Sequence, residues 1–515
     1  MKKITLFLVI VLLTPFVSKA QDFIDNALLF SRYQTSGSAR FQAIGGAGTA
    51  LGGDYSSALV NPAGLGMFNR SEFTFSLGFT DAATNASYFG QNTTDTRGAV
   101  NVPGLSYVQK HDYSSGKFLG GAFGASYTRT NNFNTNYQIS GINDRSTLID
   151  FFIDDAVDQF NEFGDLDPFS LSGMAYDPDF DMLLIDVFQD PNNPSNTFVS
   201  SRVFPDVFDL GNLTNRQTEI STRKGLQSQF SLSYGGNYDD TFFFGATLGI
   251  TTIRYINEIN YREDQFTFDQ DPNYNALDFL SVTETFDIQG SGVNLTLGGI
   301  YRPLDFLQFG ISYVTPTYFN ITDSYFASVE ADWNNFDYDN NPATSQLNNT
   351  YVDFGVPLVS EYDLRTPARL RLGATAISKF GFATAEIEFV NHKGARYSSN
   401  IAGFSYDAEN SIIREVYKNA INIRTGVEFR KDKFRIRGGF NHLGNPYQNE
   451  GNTKATVTTF SGGLGYRTSK FFVDATLVNS RWETERNLYV ASTFSPVSVI
   501  QHTQNQFVVT LGFPF

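Results

Sequence analysis

The sequence predicts an all-β protein: a transmembrane antiparallel β-barrel of about 14 strands, built by residues 71–515 around a glycine-rich stretch that precedes them. Three observations predict it. From Ser71 onward, short stretches alternate apolar and polar residues, and nothing after the first 20 residues supplies the roughly 18 consecutive apolar residues of a spanning helix. The links between these stretches alternate tight and long. Aromatic residues make up 15% of a chain whose mean hydropathy is −0.23, a combination that interfacial aromatic girdles around a polar lumen explain.

The chain opens with Lys2 and Lys3, an apolar run from Ile4 to Val17, and Ser18-Lys19-Ala20 before Gln21, which reads as a signal peptide over residues 1–20. Its removal takes three lysines and moves the formal charge from −16 to −19, with 53 Asp and Glu remaining, which argues against a nucleic-acid partner. Cysteine is absent, so disulfides and thiolate chemistry are excluded. A mature chain that lives in lipid must therefore do so as a barrel, the other way to satisfy every backbone group in hydrocarbon.

Residues 21–70 precede the first strand. From Ser36 to Asn69 they are too rich in glycine for a long helix or a central strand. No buried strand pattern precedes Gly45 and no helix pattern follows Gly53, so a nucleotide-binding turn is not supported. Gly45-Gly46-Ala47-Gly48, then Asp54, then Asn61-Pro62-Ala63 running into an alternating strand resembles the hatch of the FadL family, outer-membrane transporters of long-chain fatty acids and other hydrophobic compounds. The resemblance is specific over residues 33–80. It implies that residues 21–70 are an N-terminal hatch plugging the lumen, with Gly45, Gly46 and Gly48 in its body and Asn61, Pro62 and Ala63 at its tip.

The strands fall near 71–80, 99–110, 117–130, 218–235, 241–262, 282–302, 305–320, 358–378, 380–392, 417–430, 433–443, 454–468, 470–484 and 502–515. In the first, Phe73, Phe75, Leu77 and Phe79 share one face, with Thr74, Ser76 and Gly78 on the other. The tight links are His111–Gly116, Gly235–Asp240, Pro303-Leu304, Lys379, Lys431-Asp432 and Ser469, and each intervening link is expected to be long and polar. Short turns at one rim and long loops at the other mark an outer-membrane barrel with its turns in the periplasm. A soluble sandwich has no reason to sort its loops this way.

Strand three carries Gly120, Gly121 and Gly124. Glycine inside a strand marks a bulge, a bend or a close backbone approach. The family resemblance makes these three the candidates for an inward kink that opens a window to the bilayer; ordinary packing is the alternative. The long extracellular insertion, 131–217, holds Leu148, Ile149, Phe152, Ile153, Ala156, Val157 and Phe160 at helical spacing behind Ser146 as a cap. Phe180, Leu183, Leu184, Val187 and Phe188 suggest a second helix. The two could form an apolar landing groove on the outer rim, or pack together as a lid. The last strand ends Phe507, Val509, Leu511, Phe513 and Phe515 on one face, resembling the closing-strand signal of outer-membrane insertion.

On the face opposite the apolar one, Arg369, Arg371, Arg424, Arg435 and Arg437 could bind a ligand carboxylate in the lumen, or pair with acids of the hatch and neighbouring strands such as Glu428. Asp177, Asp179 and Asp181 alternate as in a calcium loop, as do Asp337, Asp339 and Asn341, but the glycine and bidentate Glu of an EF-hand are missing. No metal and no cofactor are expected. The function implied is passive transport of hydrophobic small molecules such as long-chain fatty acids by a monomer in outer-membrane lipid, the ligand leaving sideways as the hatch shifts. One alternative is a FadL-like interaction or shuttle barrel of a type IX secretion system; another is an outer-membrane phospholipase, for which His442 is the histidine to test.

Overall fold

A computed structural model describes residues 17–113, 116–177, 182–190, 193–203, 210–337, 346–401, 403–449 and 455–515. Most of the signal peptide expected at 1–20 lies outside the described residues. So do Phe180 and two members of each aspartate triplet.

Fourteen strands form one closed antiparallel ring. They are β1 Glu72–Tyr88, β2 Gln91–Asp112, β3 Phe118–Asn132 continuing as Thr135–Asn143, β4 Leu213–Tyr238, β5 Phe242–Phe268, β6 Leu277–Leu304 and β7 Leu307–Val314 continuing as Tyr318–Asp337. The ring goes on with β8 Leu358–Arg365 continuing as Arg369–Ser378, β9 Gly381–Asn391 continuing as Arg396–Ser398, and β10 Asn419–Lys431. It closes with β11 Phe434–Leu443, β12 Val457–Arg467, β13 Phe472–Asn487 and β14 Val497–Pro514. β14 pairs with β1 from Pro514 opposite Glu72 to Val499 opposite Ser87, which leaves the sheet without free outer edges.

Alternation decides what each strand shows to lipid. On β5, Phe242, Phe244, Leu248 and Ile250 point outward and are 41–51% exposed, whereas Phe243, Thr247 and Thr251 point inward and are buried. Beyond Ile250 the outward positions turn polar at Thr252, Arg254, Glu258 and Arg262, so the apolar belt spans about nine residues, the length a tilted strand needs to cross hydrocarbon. The remainder of this 27-residue strand stands above the membrane. This is the architecture of an outer-membrane barrel. The three-residue link 239–241 turns tightly, with Asp239 and Asp240 at φ +60° and +47°. Pro316 and Pro367 lack an N–H, and they interrupt β7 and β8 at one level, where Thr317 and Thr366 bond each other across the gap.

The interior is filled. α1 (Val17–Ser31), α2 (Ala39–Ala43), α3 (Ser57–Val60) and a 3₁₀ turn (Pro62–Met67) lie within the ring. α4 (Leu148–Phe163) and α5 (Leu171–Ala175) fold over one mouth of the ring, and α6 (Asp407–Val416) turns inward between β9 and β10.

Four expectations need correction. The first link is not long: β1 and β2 run on to a turn at Phe89-Gly90, because residues 81–98 pair as strands whose small and polar side chains carry no apolar alternation. The insertion is shorter, 144–212, since β3 resumes after its break. The second helix is instead a hairpin, Ile185–Asp190 with Asn193–Ser201, in which Val187 and Phe188 pair with Val199 and Phe198. The cap of α4 is Thr147 rather than Ser146: Thr147 and Asp150 form the reciprocal capping box, while Ser146 bonds the Tyr489 hydroxyl. Leu148, Ile149, Phe152 and Ala156 are buried in the mouth of the barrel, so the apolar face of α4 is covered there and does not lie open as a landing groove.

Candidate functional site

The lower half of the lumen holds the glycine-rich stretch. Ser38 caps α2 through the Phe41 N–H (3.0 Å) and donates to Asp54 (2.6 Å). Gly45 (φ +67°) comes so close to the backbone of Phe440 on β11 that a Cβ would sit 2.6 Å from its carbonyl oxygen, so only glycine fits. Gly46 shares the left-handed conformation, and Gly48 lies against the Phe41 ring. Asn61 is fully buried. Its Oδ1 accepts from the Ala63 N–H (3.1 Å) and caps the 3₁₀ turn that Pro62 begins, while its Nδ2 donates to Thr49 O (2.6 Å), Gly299 O (3.2 Å) and Ile311 O (3.3 Å). One amide thus ties the segment to itself and to β6 and β7.

A carboxylate from the wall makes the matching bond on the other side. Glu386 Oε2 on β9 accepts from the N–H groups of Gly48 (3.1 Å) and Thr49 (3.0 Å) and from the Thr49 hydroxyl (2.7 Å). Its Oε1 accepts from Arg424 (2.8 Å). Arg424 also bonds Glu388 (2.9 Å), which takes Arg371 (2.5 Å). Further round the wall Arg437 bridges Glu428 and Asp474, both at 2.5 Å. Arg371, Arg424 and Arg437 are therefore neutralised by wall acids. Arg435 is not part of this strip; it caps the β10–β11 turn by donating to the carbonyls of Asp432 and Phe434. Glu386 and Glu388 went unread in the sequence, yet Glu386-Ile387-Glu388-Phe389 sets both acids on the face opposite two apolar residues.

Above this polar layer is an apolar one. Ile24, Ala27 and Phe30 of α1 are buried among Phe133, Tyr255, Phe319, Tyr362, Tyr397, Tyr406 and Tyr417. Tyr397 and Tyr417 hydroxyls donate to the carbonyls of Phe23 (2.7 Å) and Ile24 (2.8 Å). At the foot of this chamber Arg369 lies over the Tyr33 ring (3.6 Å to the centroid) and bonds Ser31 O, and Arg32 bonds Ala455 O (2.9 Å). Neither has a carboxylate partner among the described residues.

β3 changes neighbours in this layer. Its ladder with β2 runs from Gly120 opposite Asp112 to Thr128 opposite Gly104 and ends there, beside Pro103. Past that point β3 bonds the segment below α1: Gln34 N–H donates to Thr130 O (3.0 Å), and the Gln34 amide both donates to Asn132 O and accepts from Asn132 N–H. The departure therefore lies at residues 128–135. At Gly120, Gly121 and Gly124 the β2–β3 ladder is unbroken, and the bulge at Gly120 lies in the pairing with β4; Gly120 and Gly121 admit the close carbonyls of His111 and Gly235, whereas Gly124 meets Leu65 at ordinary contact distance.

His442 meets the Thr458 hydroxyl (3.4 Å), and its ring lies parallel to that of Phe440 with centroids 6.5 Å apart. No group of metal-ligating side chains occurs among the described residues.

No protein-family model matches the sequence, and no curated protein does. The fold is FadL-like. It is similar to a FadL homologue of Pseudomonas aeruginosa (12% identity, 94% of this chain and 99% of that chain, TM-score 0.53). It is similar also to the toluene transporter TodX of P. putida (13%, 94% and 99%, TM-score 0.51), and to a deltaS2 mutant of TodX described as a monoaromatic hydrocarbon channel (14%, 93% and 98%, TM-score 0.52).

Proposed function

We propose that this protein carries hydrophobic small molecules, long-chain fatty acids among them, across the outer membrane by passive diffusion. The observation that carries this reading is the aromatic chamber that seats the apolar face of α1 directly above the glycine-rich segment. Such a chamber offers the same burial to an acyl chain or an aromatic ring, since the hydrophobic effect is not directional. Arg369 and Arg32 would receive a carboxylate head group once α1 yields, because their present partners are neutral. Residues 33–70 would then act as a hatch that shifts, with Glu386 and Asn61 as its fastenings. The end of the β2–β3 ladder at the upper margin of the apolar belt supports a sideways exit there. The toluene transporter and hydrocarbon channel among the similar structures support a hydrophobic cargo.

Uptake of radiolabelled palmitate and toluene by proteoliposomes tests this. The full-length protein should raise uptake of at least one above protein-free vesicles, and deletion of Asn61–Ala63 should change it while the barrel stays heat-modifiable. Uptake at the vesicle background for both would contradict the proposal.

A further inference from the structure

Beside the β2–β3 seam lies a cation that neither the hatch nor the chamber employs. Arg129 follows directly on the last pair of the ladder, Gly104 with Thr128. It is 5% exposed, and among the described residues it has no hydrogen-bond or ion-pair partner. The two lips of the seam hold further buried polar atoms without partners among the described residues: Asn101 Oδ1 on β2, and Thr130 Oγ1, Asn132 Nδ2 and Thr135 Oγ1 on β3. A buried guanidinium without a counter-charge is costly, and the cost falls when an oxyanion arrives. The wall arginines Arg371, Arg424 and Arg437 avoid that cost with fixed carboxylates.

The surroundings say what kind of molecule brings the oxyanion. Arg129 is opposite Ser228 on β4, one outward step beyond Phe230, where the apolar belt gives way to polar residues. Below it on the outer face, a groove of about 580 Å³ is floored by Ala125 and Ala246 and walled by Phe123, Leu232, Tyr234 and Leu248. Ala125 is four residues from Arg129, about 13 Å along an extended strand. A head group at Arg129 would therefore hang one acyl chain in the groove.

We propose that Arg129 and this groove form a binding site for a single-chain carboxylate leaving through the seam: the guanidinium pairs with the carboxylate, Thr130 and Asn132 add donors, and the tail lies on Ala125 and Ala246. The cargo assignment rests on the transport reading above. The site discriminates acids from neutral analogues at the exit.

Photolabelling tests it, with full-length protein in phosphatidylcholine nanodiscs, diazirine-bearing palmitic acid and its methyl ester, and peptide mapping. The acid should label residues 123–132 and 232–248 about tenfold more than the ester, equivalent to about 1.4 kcal/mol. Arg129→Met should reduce acid labelling there to the ester level, and Arg129→Lys should retain part of it. Equal labelling by acid and ester in the unaltered protein, which needs no variant to fold, would overturn the proposal. So would an unchanged pattern in heat-modifiable Arg129→Met, or loss of acid labelling when phosphatidylglycerol is added, which would assign the site to resident phospholipid. Chamber peptides around Tyr397 report separately: head-dependent labelling of the seam with an unlabelled chamber would sink the transport reading and leave this site standing.

Discussion

The two layers of the lumen hold their contents by different physics. The lower layer is polar and directional: Glu386 and Asn61 meet particular N–H and C=O groups of residues 48–63, and the wall behind them is a lattice of paired arginines and acids. The upper layer is apolar: α1 is held by aromatic burial and a few tyrosine hydroxyls. Directional bonds fix one register and fail when a partner is wrong, whereas burial tolerates any occupant of suitable size. The lower layer is thus suited to a stop with defined positions, and the upper layer to a seat whose occupant can be exchanged.

Breaking the polar lattice should have the largest effect. Arg437→Met leaves Asp474 buried without its cation, while Glu428 keeps Arg430 (2.6 Å), and should cost about 3–5 kcal/mol. The check is the temperature at which the folded band is lost on unheated gels.

A polar clasp inside the apolar cap sharpens the contrast. Glu263, on the part of β5 above the belt, accepts from the Leu148 N–H (2.8 Å), Gln217 (2.8 Å) and Tyr261 (2.6 Å), and so holds the first turn of α4. Burial pushes its carboxyl up to about 7, against hydrogen bonds from Thr147, Tyr261, Leu148 and Gln217 that favour the charged form. The folded state therefore keeps a proton that the unfolded state has released. Its contribution is fully present below about pH 4.5 and is lost as pH rises through about 7, a change of roughly 3 kcal/mol. Around it face the phenols of Tyr88, Tyr261 and Tyr489, and nearby Glu219 is paired with Arg486. Exchange protection of the α4 amides, corrected for intrinsic rates, should fall across that window, and Glu263→Gln should flatten the dependence.

Glu386→Gln should weaken the lower layer by about 1.5–3 kcal/mol, since a charge-assisted acceptor becomes a neutral one. Amides 45–50 should then exchange faster while strand amides hold. Tyr397→Phe removes one neutral bond to α1 and should cost about 1 kcal/mol at most, read as faster exchange of residues 23–31.

These differences also explain what was legible in the sequence. Period-two alternation exposed the belt strands, because Phe242, Phe244, Leu248 and Ile250 differ in kind from their inward neighbours. It failed at residues 81–98, where both faces are small or polar, and at 185–201, where Val187-Phe188 mimicked helical spacing but paired across a hairpin. The glycine-rich segment was readable as a local pattern. The residues that fasten it were not: Glu386 is 337 positions from Thr49, and Gln34 meets Asn132 across 98. Arg369 and Arg437 look alike in sequence. Only the neighbouring strands decide that one is matched by acids and the other by an aromatic ring and a carbonyl.

The central claim is that α1 occupies a seat that cargo can take. Hydrogen exchange of the full-length protein in nanodiscs, with and without saturating palmitate, addresses it directly. The account requires residues 23–31 to lose protection on saturation while the belt strands keep theirs; bound palmitate with α1 as protected as before would contradict it.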